Sequence, residues 1–418
     1  MIKPFQLLAM STLLLAFLFG TALAVADDSE SEVKAASKTD EKEAWKWRWD
    51  GGFKLDSPDG LFSMKFGGRM QNDWMWGSAD DETEAAFGEI VSGNEFRRAR
   101  LFFSGTVYKV VEFKVQYDFA GGDVDFKDVY LGIKKLPFGT LRIGHFKEPF
   151  SLEELTSSKY LTFLERSLPN IFAPSRNTGF AILGHTKDEN LTWGVGAFTD
   201  SDDYGDAKTY DDTWNLSARL TFLPWSGEKK DILHLGLGYH YQGVPEGGSL
   251  RYRQRPEVHL THRFVDTHSF GADSASVFDA EAALVLGRLS VQAEYMYNTV
   301  SARDYGDPAM QGGYVYATYF LTPGDQRAYK KSEAAFDRVK PKNPYLGSGG
   351  MGAWEVGLRY SWLDLTDADV FGGELMDVTL ALNWYLNNVT RMMFNYVYAD
   401  RDDIGAANFF QMRFQIDF

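Results

Sequence analysis

No cysteine occurs among the 418 residues. An exported chain of this length can use disulfides, so this one must hold together without them. Long apolar runs are missing too, apart from one at the start. No later segment approaches the roughly 18 uninterrupted apolar residues that a spanning helix needs, which excludes membrane-crossing helices. Basic residues are in deficit: 43 Lys and Arg against 58 Asp and Glu leave a formal charge of −15. That balance offers no basic patch for nucleic acid, which is excluded as a partner. No serine stands in a nucleophile motif with a histidine base, so the chain is not expected to be an enzyme. His259, His262 and His268 cluster in sequence. With no cysteine and no patterned carboxylates they read as solvated loop residues, and no metal or cofactor is expected.

The first residues read as a leader. Lys3 gives a positive start, Leu7 to Gly20 is an apolar run, and Ala24-Val25-Ala26 is a small-residue cleavage site, so residues 1–26 are expected to be a signal peptide. Residues 27–60 are charged and polar and include Trp45-Lys-Trp47-Arg-Trp49. They read as a flexible periplasmic segment that ends in interfacial aromatics. Aromatics reach 15% of the chain, with 32 Phe, 21 Tyr and 11 Trp, yet the mean hydropathy is negative. A barrel with a lipid-facing apolar band and a polar interior reconciles the two.

Period-two alternation supports this. At the C-terminus Phe410, Met412, Phe414, Ile416 and Phe418 share one parity, while Gln411, Arg413, Gln415 and Asp417 share the other. The same pattern recurs in Phe62, Met64 and Phe66 against Lys65 and Arg69, and in Trp354, Val356 and Leu358 against Glu355 and Arg359. Tight turns are expected at Asp188-Glu-Asn190, Gly287-Arg288 and Asn387-Asn388, and longer polar loops at Asp200 to Asp211 and Asp364 to Gly373. Counting back from Phe418 predicts an all-β fold. Residues 61–418 would form a sixteen-stranded antiparallel transmembrane β-barrel with both termini on the periplasmic side.

Three connections exceed simple turns: 148–177, 244–274 and 323–350. Long inserts in a barrel this wide can fold inward and narrow it. The first two, rich in charge, are expected to do so. The second carries Arg251-Tyr-Arg253-Gln-Arg255. In an extended backbone, residues two apart share a face roughly 6.5–7 Å apart. Three guanidiniums would then form a ladder of permanent charge with planar donors suited to phosphate or carboxylate. If the ladder lines an aqueous pore, its visitor is an anion. Where carboxylates oppose it across the lumen, the pore is instead a general, weakly selective one.

Several stretches together resemble the phosphate-selective porin O and P family. They are Gly68-Arg69, Phe96-Arg97-Arg98-Ala99, Phe126-Lys-Asp128, Thr156-Ser-Ser-Lys159, Leu164-Glu-Arg166, the arginine ladder, Ala328-Tyr-Lys330 through Val339-Lys340-Pro341, Gly352-Ala-Trp-Glu355 and Leu382-Asn-Trp-Tyr385. The resemblance runs from about Phe62 to Phe418. It implies a homotrimeric porin of the Gram-negative outer membrane for passive uptake of phosphate or polyphosphate, with outer-membrane lipid around it. Carried over by position, Arg251, Arg253 and Arg255 form the ladder at the mouth. Arg69, Arg97, Arg98 and Arg166 line the approach and constriction, and Lys114 and Asp128 lie at the narrow zone; Arg100, on the polar face of its strand, is expected to line the pore without being carried over. Lys330 and Lys340 draw anions toward the periplasm. Adjacent Arg97 and Arg98 cannot both face inward on a regular strand, so the strand end must bend or one of the two points into a loop. One departure stands out: the family carries a lysine just after the Glu of the constriction helix, where this chain has Glu154, while Arg100 and Lys147 add charge elsewhere.

Overall fold

The strands bury their polar face and expose their apolar one. Gln411, Arg413, Gln415 and Asp417 are buried, while Phe410, Phe414 and Ile416 stand outward. Arg359 and Asp377 are fully buried beside outward Leu358 and Leu380. Water would not tolerate so much contiguous apolar surface. A bilayer tolerates it when every backbone group is paired, as only helices and closed barrels allow.

A computed structural model describes residues 44–207, 213–227, 230–347 and 349–418. The barrel strands are β1 (Ser63–Ala79), β2 (Gly93–Val107), β3 (Val111–Asp118), β4 (Asp125–Leu136), β5 (Gly139–Lys147), β6 (Arg176–His185), β7 (Leu191–Thr199) and β8 (Asn215–Ser226). They continue as β9 (Ile232–Gly243), β10 (Phe270–Leu286), β11 (Leu289–Ala302), β12 (Ala309–Phe320), β13 (Ala353–Asp367), β14 (Val370–Tyr385), β15 (Thr390–Arg401) and β16 (Gly405–Asp417). Each pairs antiparallel with the next, and β16 closes on β1 from Ala407 opposite Ala79 to Asp417 opposite Arg69. The result is the expected closed barrel of 16 strands. At its seam Phe418 exchanges backbone hydrogen bonds with Gly68, at 2.6 and 3.0 Å.

Two local expectations change. The loop expected from Asp364 to Gly373 is a tight hairpin: β13 runs to Asp367 and β14 starts at Val370, with Ala368 in the turn at φ 50°. The polar residues there extend the strands beyond the apolar band and do not end them. Residues Lys46–Trp49 and Phe53–Asp56, expected within a flexible segment, pair as a hairpin whose second strand continues onto β1. The leader at 1–26 and residues up to 43 lie outside the described residues, as does part of the loop expected from Asp200 to Asp211.

All three long connections enter the lumen. The first, residues 148–175, crosses it as a strap. Inward side chains of the wall hold its carbonyls: Gln71 Nε2 on Ser158 O (3.1 Å), Arg391 Nη1 on Leu161 O (2.7 Å), Asn383 Nδ2 on Thr162 O (2.8 Å) and Arg413 Nη1 on Leu164 O (2.6 Å). The strap's short helix, Leu152–Leu155, is capped from the wall. Glu294 on β11 accepts from Ser151 Oγ (2.9 Å), Leu152 N (2.6 Å) and Glu153 N (2.9 Å).

The loop 244–269 is anchored through Glu257, which accepts from Arg359 Nε (2.9 Å), Ser361 Oγ (2.6 Å) and Thr379 Oγ1 (2.5 Å). From the other end of the barrel the insert 321–352 meets the strap. Arg327 Nη2 donates to Tyr160 O at 2.6 Å, and Phe336 N to Thr156 Oγ1 at 3.3 Å.

Arg413 also grips Asp73 through two 2.6 Å bonds. Replacing it with Met strands a buried carboxylate and a strap carbonyl, a loss of about 3–5 kcal/mol for such a broken pair. Arg413→Met is therefore expected to unfold at a clearly lower temperature in heat-modifiability gels, and an unchanged transition would mean that the strap is held by other contacts.

Candidate functional site

Between the strap and the wall of β1 to β8 lies a cavity of about 860 Å³. Twelve Lys and Arg side chains line it against four carboxylates, in a chain that is acidic overall. The local field is therefore opposite in sign to the net charge, as a pore wall permits.

The pair Arg97 and Arg98 reaches this cavity through a β-bulge. Gln71 pairs with Arg98 and Asn72 with Phe96, so Arg97 is the extra residue. The bulge shifts parity by one and turns consecutive arginines inward. Arg97 makes a bidentate pair with Glu165 of the strap, both bonds 3.0 Å. Arg98 donates to Gln71 Oε1 at 3.0 Å, and its Nε has no partner among the described residues. Arg69 donates to Ser158 Oγ at 2.6 Å and more weakly to Ser157 Oγ at 3.4 Å. Neither Arg69 nor Arg98 has a carboxylate in ion-pair range among the described residues. Around them Arg100 pairs with Asp118 (2.6 Å), and Asp128 takes Lys114 (2.5 Å) and Arg176 (2.8 Å).

Glu154 sits beside Lys147 (2.8 Å) and Arg166 (3.1 Å). Burial alone would raise its carboxyl, but Arg166 and then Lys147 overcome that and hold it at about 2. Glu154 is thus charged, and Arg166 and Lys147 offset it. Arg166 also clasps the strap's turn, donating to the carbonyls of Glu153, Glu154 and Thr156 at 3.0–3.1 Å.

Of the expected residues, Arg69, Arg97, Arg98, Arg100, Lys114, Asp128 and Arg166 line the cavity. The ladder does not. Tyr252 is buried against Phe172 at 5.6 Å between ring centres, and Arg251 and Arg253 project from the opposite face. Arg251 donates to Asp266 at 2.8 Å, and Arg255 donates to Thr261 O at 2.7 Å. Gln254 Nε2 reaches the strap at Leu168 O, 3.2 Å away, so the ladder descends toward the cavity from the loop end. Lys330, paired with Glu333, and Lys340 are exposed on the insert 321–352 and lie outside the lining. Lys127, Lys134, Arg142 and Arg219 line the cavity without having been singled out. Arg142 follows the alternation, between outward Leu141 and Ile143, so parity alone could have found it.

The histidines behave as loop residues: His259 faces Glu95 at 2.7 Å, and His262 the carbonyl of Glu89 at 3.3 Å.

Residues 64–418 match the family described as phosphate-selective porin O and P. Porin O of Pseudomonas aeruginosa is 30% identical over 404 residues, covering 86% of this chain and 87% of that protein. An uncharacterized protein of Caulobacter vibrioides is 30% identical over 385 residues, covering 90% and 75%. Among solved structures, OmpT of Vibrio cholerae superposes with a TM-score of 0.53 at 13% identity, over 86% of this chain and 98% of that one. The outer membrane channel DcaP of Acinetobacter baumannii gives 0.53 at 12% identity, over 85% and 97%. At such identities these two likenesses concern the fold.

One cation near the site titrates in the working range. Burial, then the neighbouring Arg69 charge, lower the Lys159 ammonium to about 7, against a partial offset from Asp417. Below that pH the strap carries one more positive charge, and above it the charge is lost. Anion-over-cation preference should therefore fall between pH 6 and pH 8, and the step should vanish in Lys159→Gln. Reversal potentials across the titration check this, and a step of equal size in the variant would assign it elsewhere.

Proposed function

Because this chain belongs to the phosphate-selective porin O and P family, as a porin of the Gram-negative outer membrane, we propose that it conducts phosphate or a short polyphosphate passively through the strap-narrowed lumen. The observation that carries the reading is the pair Arg69 and Arg98: two buried guanidiniums on the cavity, free of carboxylate partners, beside the hydroxyls of Ser157 and Ser158. A guanidinium stays charged at any working pH and presents planar donors that match a tetrahedral oxyanion. Hydroxyls accept as well as donate, so they also take the O–H of a protonated phosphate. Carboxylate-paired neighbours such as Arg100 and Lys114 set the field and the width but have less capacity to spare. The ion leaves because several partial sites follow one another, the condition for conduction rather than capture.

The ladder Arg251, Arg253 and Arg255 collects anions at the outer mouth, and Lys330 and Lys340 receive them at the periplasmic one. Residues 61–418 form the pore domain, after a periplasmic segment at 27–60 and a cleaved leader. The assembly is a homotrimer, as the family resemblance implies. A second reading, a general porin for small hydrophilic solutes, draws on the contact of Arg251 with Asp266, which neutralises one rung.

Planar-bilayer measurements separate the two. Replacing all three ladder arginines by alanine should move the reversal potential toward cations. Arg98→Gln should weaken phosphate block of chloride current by about tenfold or more, the size of one lost hydrogen bond to a charged group. Wild-type ion preference and phosphate block in both variants would favour the general pore.

A further inference from the structure

We infer that Asp279, Glu281 and Glu294 hold a divalent cation of the oxygen-preferring class, with Ca²⁺ as the best fit, in the wall behind the strap. Asp279 and Glu281 lie two apart on β10 and so share its inward face. Glu294 on β11 stands directly opposite Glu281. One carboxylate oxygen from each lies within 4.8 Å of the others. Two oxygens on opposite sides of a Ca²⁺, each at roughly 2.3–2.6 Å, lie about 4.6–5.2 Å apart, so one ion spans the trio.

With all three carboxyls ionised, the charges and hydrogen bonds do not close without such an ion. All three residues are buried, at 3%, 4% and 2% exposure. Arg219 supplies one positive charge, spent on both oxygens of Glu281 at 2.7 and 2.8 Å. His234 faces Glu281 at 3.5 Å and not Asp279. Glu294 is occupied with the helix cap of the strap and the hydroxyl of Tyr314. Asp279 has nothing: among the described residues no donor reaches either of its oxygens. A buried carboxylate with neither donor nor cation is costly, and a bound cation removes that cost.

The space is made on the neighbouring strand. Gly236 and Gly238 of β9 pair with Glu281 and Asp279. A Cβ at 236 would fall 2.4 Å from Glu281 Oε1, and one at 238 would fall 3.2 Å from Asp279 Cβ. The missing side chains leave a recess that the carboxylates fill. Asp279 can offer both oxygens and Glu281 and Glu294 one each, the Tyr314 hydroxyl turning aside from Glu294, and water completes the seven or so ligands that Ca²⁺ accepts. Because Glu294 also caps the strap's helix, the ion would brace the wall at the point where the constriction begins.

The test uses the full chain refolded into detergent free of lipopolysaccharide, stripped with chelator and then equilibrated with micromolar Ca²⁺. Wild type should retain about one Ca²⁺ per chain after gel filtration, the stoichiometry of a single site. Asp279→Asn and Gly236→Ala should each retain at least tenfold less. Chelator should lower the unfolding temperature of wild type, with Ca²⁺ restoring it, and should leave that of Asp279→Asn unmoved. Retention by both variants at the wild-type level would place any bound ion elsewhere and overturn the assignment. So would a wild-type protein that keeps no Ca²⁺ and ignores the chelator, since the three carboxyls would then share protons. If a variant does not fold, wild-type stoichiometry and chelator response decide by themselves.

Discussion

The pore depends on one kind of contact, a charged or amide side chain of the wall donating to a backbone carbonyl of the strap. A connection that leaves the sheet and crosses a barrel interior gives up its ladder partners. Buried without replacements, such groups cost about 1–3 kcal/mol each. Arg391, Asn383, Arg413 and Arg359 provide the replacements for Leu161, Thr162, Leu164 and Glu165. Donors on a guanidinium bond roughly twice as strongly as neutral ones. Arg359 also lies over the ring of Phe163, 4.2 Å from its centre, so the same group packs the strap and pairs it.

This use of arginine divides the interior into two kinds of charge. On β13 to β16 the inward guanidiniums are committed to structure: Arg359 and Arg413 are answered by Glu257 and Asp73, and Arg391 is spent on Leu161 O and Gln415. On β1 to β8 they face open volume, and two of them, Arg69 and Arg98, carry no such answer. Glu154 and Lys147 fall between these groups, an acid and a base in mutual contact at 2.8 Å whose charges offset each other. A count of charged residues would not have revealed the balance, because it lies in pairings.

The barrel was legible in the sequence because period-two alternation is local, and each strand carries its own record of which face meets lipid. An irregularity at Arg97 and Arg98 was legible for the same reason: two adjacent charges on one strand violate the alternation, and of a bend or a turn into a loop the structure takes the bend, as a bulge. The hairpin at Lys46–Trp49 and Phe53–Asp56 was missed because charged and aromatic residues obscured so short a pair of strands. The hairpin at Ala368 reads as a loop because polar residues beyond the apolar band look the same whether paired or not. The ladder's distance from the cavity was not legible at all. Its position follows from contacts such as Glu257 with Arg359, which join residues 102 apart in sequence. The three-carboxylate cluster escaped for a related reason: Glu294 meets Asp279 and Glu281 only through strand register.

The distribution of the strap's partners bears on the order of events in folding. The strap lies between the fifth and sixth strands, but its carbonyls are held mainly from the first strand and the last four. The grip of Arg413 on Asp73 joins residues 340 apart, across the seam where the sheet closes. Contacts this distant form late, after the entropy of closing the intervening chain has been spent. A partly assembled barrel therefore has no seated strap and no filter, and an open intermediate in the membrane would be a wide, indiscriminate hole. Sealing the seam and acquiring selectivity become a single step. A cell that inserts this chain is exposed to a leak only for the time its last strand takes to find its first.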